Sequence, residues 1–518
     1  MSAAQDDKPS LASELQQLTL AYYHCTFFFP LIPNLGKALP PEPDAVPEHL
    51  YSDANATDAE REAYHFFTPI LRNVLFNQAD NHTQTLSPLQ EWRLSDTQDW
   101  TLTLTALPPN PEKPDAYVVP DKTVDVVSVR LYRYFNGLQL LAVTVKPAAG
   151  QSLILEDWLH FTRLARQLYP TFAEQIQESK VAPLTLRCPQ ATIEDTFSDG
   201  ALKIPPNDAL GLYFSPIIKY FIKQFFHETA GMASWLEQQI ALYDDRMFIS
   251  VAYGLPEDAI KTPDAATTPD ADVDAAVKRK RERLEQIKAL VAYTDRGVDA
   301  WIDGIDGYHY PYDPQYIAQD LADKKLTLWE QAGSTYFYTD AVNAYLGIAN
   351  AQNPGDFFIT KIAEKDILSK YNRMLIQALF YQASLRHYDQ QITVSTKTLL
   401  SSEQQENSAI EAQYSELIQF TNQYWFADLT QQMQGKAIGR LQQNGLGLSA
   451  QYARILDEVS RTSDYLTAQK DQTLAEASLN SARASEKLTK YGAWFAVIAI
   501  VLALLAMLPD WMELLKIA

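Results

Sequence analysis

Tyr491 to Leu508 reads YGAWFAVIAIVLALLAML, eighteen residues without a charge. As a helix rising about 1.5 Å per residue, the stretch would be about 27 Å long, close to the hydrocarbon thickness of a bilayer. A buried core helix can share this composition, but the run is uninterrupted and Pro509 is expected to stop it. Arg483, Lys487 and Lys490 precede the run, and Asp510, Glu513 and Lys516 follow it. That asymmetry predicts a single-pass protein of the cell (inner) membrane, N-terminus cytoplasmic and C-terminal tail outside. The opening MSAAQDDKPS lacks the basic and apolar regions of a signal peptide. The run TLAYYHCTFFFPLIP is too short, and too broken by Pro30 and Pro33, to span.

Upstream of that run, proline is absent from Ser401 to Leu508. Gly435, Gly439, Gly445 and Gly447 mark one interruption, read as a helix-to-helix turn. Beyond it, Ser449 to Leu508 reads as a single helix of about 60 residues, or about 90 Å. A helix of that length needs partner helices. Ala475, Ser478, Ala482, Ser485, Thr489, Gly492, Ala496, Ala499, Ala503 and Ala506 follow one another at alternating steps of three and four. This is a heptad seam of small residues that crosses into the apolar run without losing register. The small residues predict either tight helix association or a ring with its axis lined by the seam; alanine-rich composition alone is the competing reading.

The region before residue 396 is mixed α/β by pattern. Ser10–Leu20 reads as a helix, as does Thr57–Phe76 with a kink at Pro69. WTLTLTAL, TVDVVSVRLYRYF and LQLLAVTVKP read as strands, the last two joined as a hairpin at Asn136-Gly137. Ser152–Gln175 reads as a helix again. A helix near 212–226, a strand near Arg246–Ala252, a helix near 272–293 and a strand at Ser334–Thr339 repeat this order loosely. The elements allow two α/β halves, with no repeat in the sequence itself. The expected organisation is a first α/β region 1–254, a flexible acidic loop 255–275, a second α/β region 276–395, a helical stalk 396–490, a transmembrane helix 491–508 and a short external tail 509–518.

Charge and composition narrow the function. With 64 acidic against 43 basic residues the chain carries −21, which repels phosphate backbones, so no nucleic-acid partner is expected. Two cysteines, Cys25 and Cys188, cannot build a disulfide framework. The basic run KRKRER from Lys278 to Arg283 suits anionic lipid or a nucleotide, or simply a solvated helix face whose charge offsets the acidic loop. No glycine-rich phosphate loop, G-x-S-x-G or H-E-x-x-H occurs, and the eight histidines are scattered, so no catalytic residues are assigned and no enzyme is expected. Asp244-Asp245-Arg246 resembles a catalytic cluster, but its place before an apolar run reads as a strand entry with a local ion pair. Asp299, Asp303, Asp306 and His309 form the densest acidic cluster; its spacing does not match a calcium loop and fits consecutive turns, leaving metal binding there open.

FTNQYWFADLTQQMQGKAIGRLQQ (Phe420–Gln443), LDEVSRTSDYL (Leu456–Leu466) and the long helix after them resemble the CorA-type magnesium transporter superfamily in its divergent bacterial members. The resemblance is clearest at Asn422, Tyr424, Phe426, Thr430, Gln432, Gln434 and Gly435, over about 110 residues. Fainter echoes lie in EAYHFFTPILRNVLF, LEDWLHFTRLARQLYP, YDDRMFISVAY and GSTYFY. It implies a cytosolic α/β domain, a stalk helix, a homopentamer around a pore, and a divalent cation such as magnesium as cargo or ligand. The family's Gly-Met-Asn signature is replaced by Leu508-Pro509-Asp510-Trp511, and no second membrane helix follows. Two functions are therefore expected in competition. One is a CorA-like homo-oligomeric ion channel or transporter with a sensing domain. The other is a membrane-anchored sensor or effector, as in a defence or stress response, that perturbs or signals at the bilayer without selective transport.

Overall fold

The computed structural model describes residues 17–33, 41–43, 57–76, 89–95, 97–106, 120–167, 184–195, 215–226, 239–241, 246–260, 270–292, 314–329, 333–401 and 407–514. The chain divides into two units, Met1–Tyr452 and Ala453–Ala518.

The first unit is built on one mixed sheet of twelve strands: β1 (Tyr22–Pro33), β2 (Leu89–Arg93), β3 (Thr101–Leu104), β4 (Lys122–Tyr134), β5 (Gln139–Pro147), β6 (Leu184–Cys188), β7 (Ala191–Asp195), β8 (Gln239–Ala241), β9 (Phe248–Leu255), β10 (Lys325–Trp329), β11 (Ser334–Tyr338) and β12 (Val342–Ile348). The order is β10-β11-β12-β9-β1-β5-β4-β3-β6-β7, with β2 also on β4 and β8 on β1. Among the described strands only the β9–β12 pair is parallel. The hairpin at Asn136-Gly137 forms as read: the Gly137 N–H donates to Tyr134 O at 2.8 Å, and Gly137 takes the left-handed φ of 80° that the turn demands. The run with Pro30 and Pro33 is the central strand β1. Its pairing to β9 ends at Phe28 and that to β8 begins at Leu31, so among the described residues no strand partner faces Pro30 on that side.

Two α/β halves do not form. β9, from the first region, lies beside β12, from the second, in register from Val342↔Ile249 to Ile348↔Leu255. Pairing removes the row of open N–H and C=O groups that β9 would otherwise expose as an edge.

Helices α1 (Asp58–Phe66) and α2 (Pro69–Leu75) replace the single kinked helix expected over Thr57–Phe76. Pro69 drives Thr68 into extended backbone, so α1 stops and α2 restarts with proline as its first residue. Thr57 caps α1 in a reciprocal capping box with Glu60. One sheet face packs on α3 (Leu155–Ala165), α4 (Pro216–Lys223) and the C-terminal end of α6 (Asp270–Ala292); α5 (Glu257–Ile260) lies between α4 and α6 in sequence. Tyr23, Phe27, Trp158, Phe161, Phe221 and Val291 fill most of that layer, which also holds the buried ion pair of Lys122 with Asp157 at 2.5 Å and the Tyr23–Thr162 hydroxyl bond at 2.8 Å. Part of the expected acidic loop is helix, in α5 and the start of α6; residues 261–269 lie outside the described residues, as do Asp244, Asp245, the cluster Asp299, Asp303, Asp306 and His309, and Ser10–Gln16 of the first expected helix. The described Gln17–Leu20 are not helical.

Past α7 (Pro314–Ala322) and the last strands comes a fourteen-residue π-helix, π1 (Phe358–Tyr371), running into α8 (Asn372–Ser401). Then follow α9 (Asn407–Gln419), a short π-helix π2 (Phe420–Tyr424) and α10 (Met433–Gly445). The stalk expected from 396 is corrected here. Leu417, Phe420, Leu429, Ile438 and Leu446 are buried in the first unit because their apolar faces close over α8. Gly435 and Gly439 are packing positions inside α10 and not part of a turn: a Cβ on Gly435 would sit 2.3 Å from Thr430 Cγ2 and 2.6 Å from Phe66 Cζ.

The second unit lies on α11 (Leu448–Leu514), a helix of 67 residues. It continues past Pro509, which removes one backbone donor without ending the helix.

Candidate functional site

The motif Asn422–Gly435 is a strap across the first unit. Tyr424 stacks on Phe135, beside the β4–β5 turn, with ring centroids 4.0 Å apart. The Phe426 N–H donates to Tyr381 Oη at 3.0 Å. Thr430 donates its hydroxyl to Phe66 O, accepts the Gln432 N–H at 3.2 Å, and pairs with Phe67 as a β-bridge. Gln434 donates from Nε2 to Tyr371 Oη, and Gly435 admits Phe66. Asn422 is exposed. Phe426, Thr430, Gln434 and Gly435 thus fasten the strap to α8, α1 and π1, and Tyr424 fastens it to the β4–β5 turn, so this motif carries architecture.

Beneath the strap lies a feature the sequence reading missed. The sheet face under π1 and α8 is buried yet polar. Ser250 donates to Asn372 Oδ1 at 2.6 Å, Asn372 Nδ2 donates to Thr26 Oγ1 at 3.4 Å, and Thr26 shares a hydroxyl bond with Thr144 at 3.0 Å. Towards α2, Glu91 is held by Arg130 at 2.8 Å and Arg373 at 3.3 Å, with its own side chain only 1% exposed. Arg373 also donates to Leu75 O and lies over the Phe76 ring. Towards β11 and β12, the hydroxyls of Tyr336, Tyr338 and Tyr345 and Nδ2 of Asn343 are buried with no hydrogen-bond partner among the described residues. Burial pushes the Tyr345 hydroxyl well above its usual range. Such layers cost stability where unpaired and fix a unique packing where paired. The signal was present as period-two polar residues, such as His24 and Thr26 or Tyr336 and Tyr338. On strands that pattern ordinarily reads as a solvent face.

His24 shows the cost most clearly. Both ring nitrogens are buried without a hydrogen-bond partner among the described residues, and burial, reinforced by Lys146, lowers its pKa from 6.5 to about 3. The folded state therefore refuses a proton that the unfolded chain accepts below pH 6.5, and stability falls as pH drops through that window. The expected loss from this group is about 2–3 kcal/mol by about pH 4.5. His24→Leu should flatten the pH dependence of the denaturation midpoint over that range. An unchanged slope would show that His24 is protonated or paired in the folded protein.

Among the described residues no three His, Cys, Asp or Glu side chains come together to hold a metal. The other candidate feature is α11 itself. It contains an apolar window of mean hydropathy 2.0, long and apolar enough to cross a membrane, and none of that window is buried in the chain. Trp494, Phe495, Ile500 and Leu504 are each at least 60% exposed. All ten seam residues, from Ala475 to Ala506, lie on this one unbroken helix.

No family model, curated protein or solved structure matches this chain.

Proposed function

We propose that this is a single-pass membrane protein whose copies assemble through α11 into a CorA-like ion-conducting oligomer, with the α/β unit as its cytoplasmic sensing part. One observation carries the reading. An exposed, chargeless stretch of α11 continues a small-residue seam that is already flanked by exposed leucines before the apolar run begins. Leu474, Leu479 and Leu488 are 67%, 52% and 72% exposed, on a segment that also bears Arg483, Glu486, Lys487 and Lys490. Lipid does not cover a stretch with those charges; a neighbouring helix can. Copies anchored in one membrane run parallel. With Ala475 as heptad position a, Leu474 takes position g and Leu479 position e, and g meets e of the next copy five residues on. Apolar flanks on a small seam favour several helices closing around an axis. The seam offers no side-chain oxygen from Gly492 to Ala506, so it cannot strip water from magnesium, and ions would pass hydrated.

That last point also favours the second reading, an anchored sensor or effector without selective transport, and flux separates the two. Full-length protein in liposomes should release entrapped magnesium and monovalent ions with little discrimination. Ala499→Leu and Ala503→Leu place bulk where backbones approach, which costs about 1–3 kcal/mol at each interface and recurs around the ring. Flux is expected to fall about tenfold or more in both. Leu505→Ala, off the seam, should leave it nearly intact. No wild-type flux would sink conduction and leave the anchored effector. Equal tolerance on both faces would make the seam mere composition.

A further inference from the structure

π1 carries Lys361, Lys365 and Lys370 at steps of four and five. A π-helix closes i to i+5 bonds at about 4.4 residues per turn, so these steps set all three ammonium groups on one face. In an α-helix the nine residues from Lys361 to Lys370 make about two and a half turns, which would send Lys370 to the opposite side. The π conformation is what gathers them. They converge on a single carboxylate, Glu62 of α1: Lys361 donates to Oε1, Lys370 donates to the same oxygen at 2.9 Å, and Lys365 pairs with Oε2.

The geometry points to a phosphate-binding site in which Glu62 is the occupant built into the chain. The three ammonium groups face two carboxylates, Glu62 and Asp366, the latter 2.8 Å from Lys370 and 3.6 Å from Lys361. Glu364 is engaged elsewhere, with Lys146. One positive charge is left over, in a chain whose total is −21. A phosphate group on a small soluble molecule carries close to two negative charges and enough oxygens to meet each ammonium separately, which a carboxylate cannot. The site is open on one side and closed on the other. Glu62, Lys361 and Lys365 are 41%, 32% and 27% exposed, while Lys370 is 7% exposed and lies over the Phe66 ring. Displacing Glu62 would release α1 from π1, and the strap at Thr430 is fastened to that same helix through Phe66. Phosphate binding would thereby reach the packing of α10. The site rests on the geometry of π1 and α1 and stands whether or not α11 conducts ions.

Inorganic phosphate is the probe, titrated calorimetrically into full-length protein in detergent. Glu62→Gln keeps the shape and removes the competing charge, and is expected to bind phosphate about tenfold more tightly than the wild type. Adding Lys365→Gln should abolish that gain. Thermal unfolding reads the same site without the Glu62 variant: phosphate should raise the midpoint of the wild type and leave that of Lys365→Gln unmoved. Equal affinity in wild type and Glu62→Gln would overturn the proposal. So would a gain that survives Lys365→Gln, or a midpoint shift of equal size with and without Lys365.

Discussion

Glu91→Ala should destabilise the α/β unit by about 3–5 kcal/mol, a large part of the stability of any single domain. Glu91 is almost wholly buried, and it is the shared partner of Arg130 and Arg373. Forming such a group of charges gains little overall, because removing them from water offsets most of their attraction. Removing one member is another matter. Arg373, with its side chain only 10% exposed, would keep its charge and lose its carboxylate. Its remaining bond to Leu75 O and its place over the Phe76 ring cannot neutralise it. Glu91→Gln keeps an acceptor of the same shape and should cost less, about 1.5–3 kcal/mol, the range for hydrogen bonds to charged groups. Denaturant titration followed by tryptophan fluorescence would rank wild type, Gln and Ala in that order. Alanine no worse than glutamine would mean that the guanidinium groups find other partners and that the layer is not held by charge.

Local chemistry was legible in the sequence, and long-range pairing was not. Asn136-Gly137 announces its hairpin and Thr57 with Glu60 announces the start of a helix, because both signals act within four residues. Most of α11 was readable from the missing prolines and the kept register, but its end was not: it runs through Pro509, the expected stop, to Leu514. The single sheet was not readable. It depends on β9 meeting β12 across roughly ninety residues of chain, and nothing near Phe248 or Val342 encodes that meeting. The stalk was drawn too early for a similar reason. α9 and α10 read as free helices until Leu417, Phe420 and Ile438 are seen to close over α8.

The polar layer went unread because its pattern ordinarily means something else. Alternating polar residues on a strand usually face water. Here Ser250, Thr26 and Tyr345 face helices, and Asn372 and Tyr371 answer some of them. The residues that carry the CorA resemblance hold packing positions in the structure. Tyr424, Phe426, Thr430, Gln434 and Gly435 are distinctive because each fits one tight contact in the strap. The π1 lysines escaped notice altogether, since steps of four and five are meaningful only once the helix is known to be π.

The membrane reading turns on residues 491–518. Nine Phe, Val, Ile and Leu side chains lie between Tyr491 and Leu508, and helix-insertion scales assign them together about 3–5 kcal/mol in favour of the bilayer. None of that stretch is buried by the chain itself up to Ala506, so its removal exposes no core and should leave the α/β unit folded. Full-length protein is expected to pellet with membranes and to stay there through a high-salt wash. The chain lacking Tyr491–Ala518 should appear in the soluble fraction with unchanged strand and helix signals. A truncated chain that remains with washed membranes, or a full-length chain found soluble, would contradict the anchor, and the basic run from Lys278 to Arg283 would become the place to look.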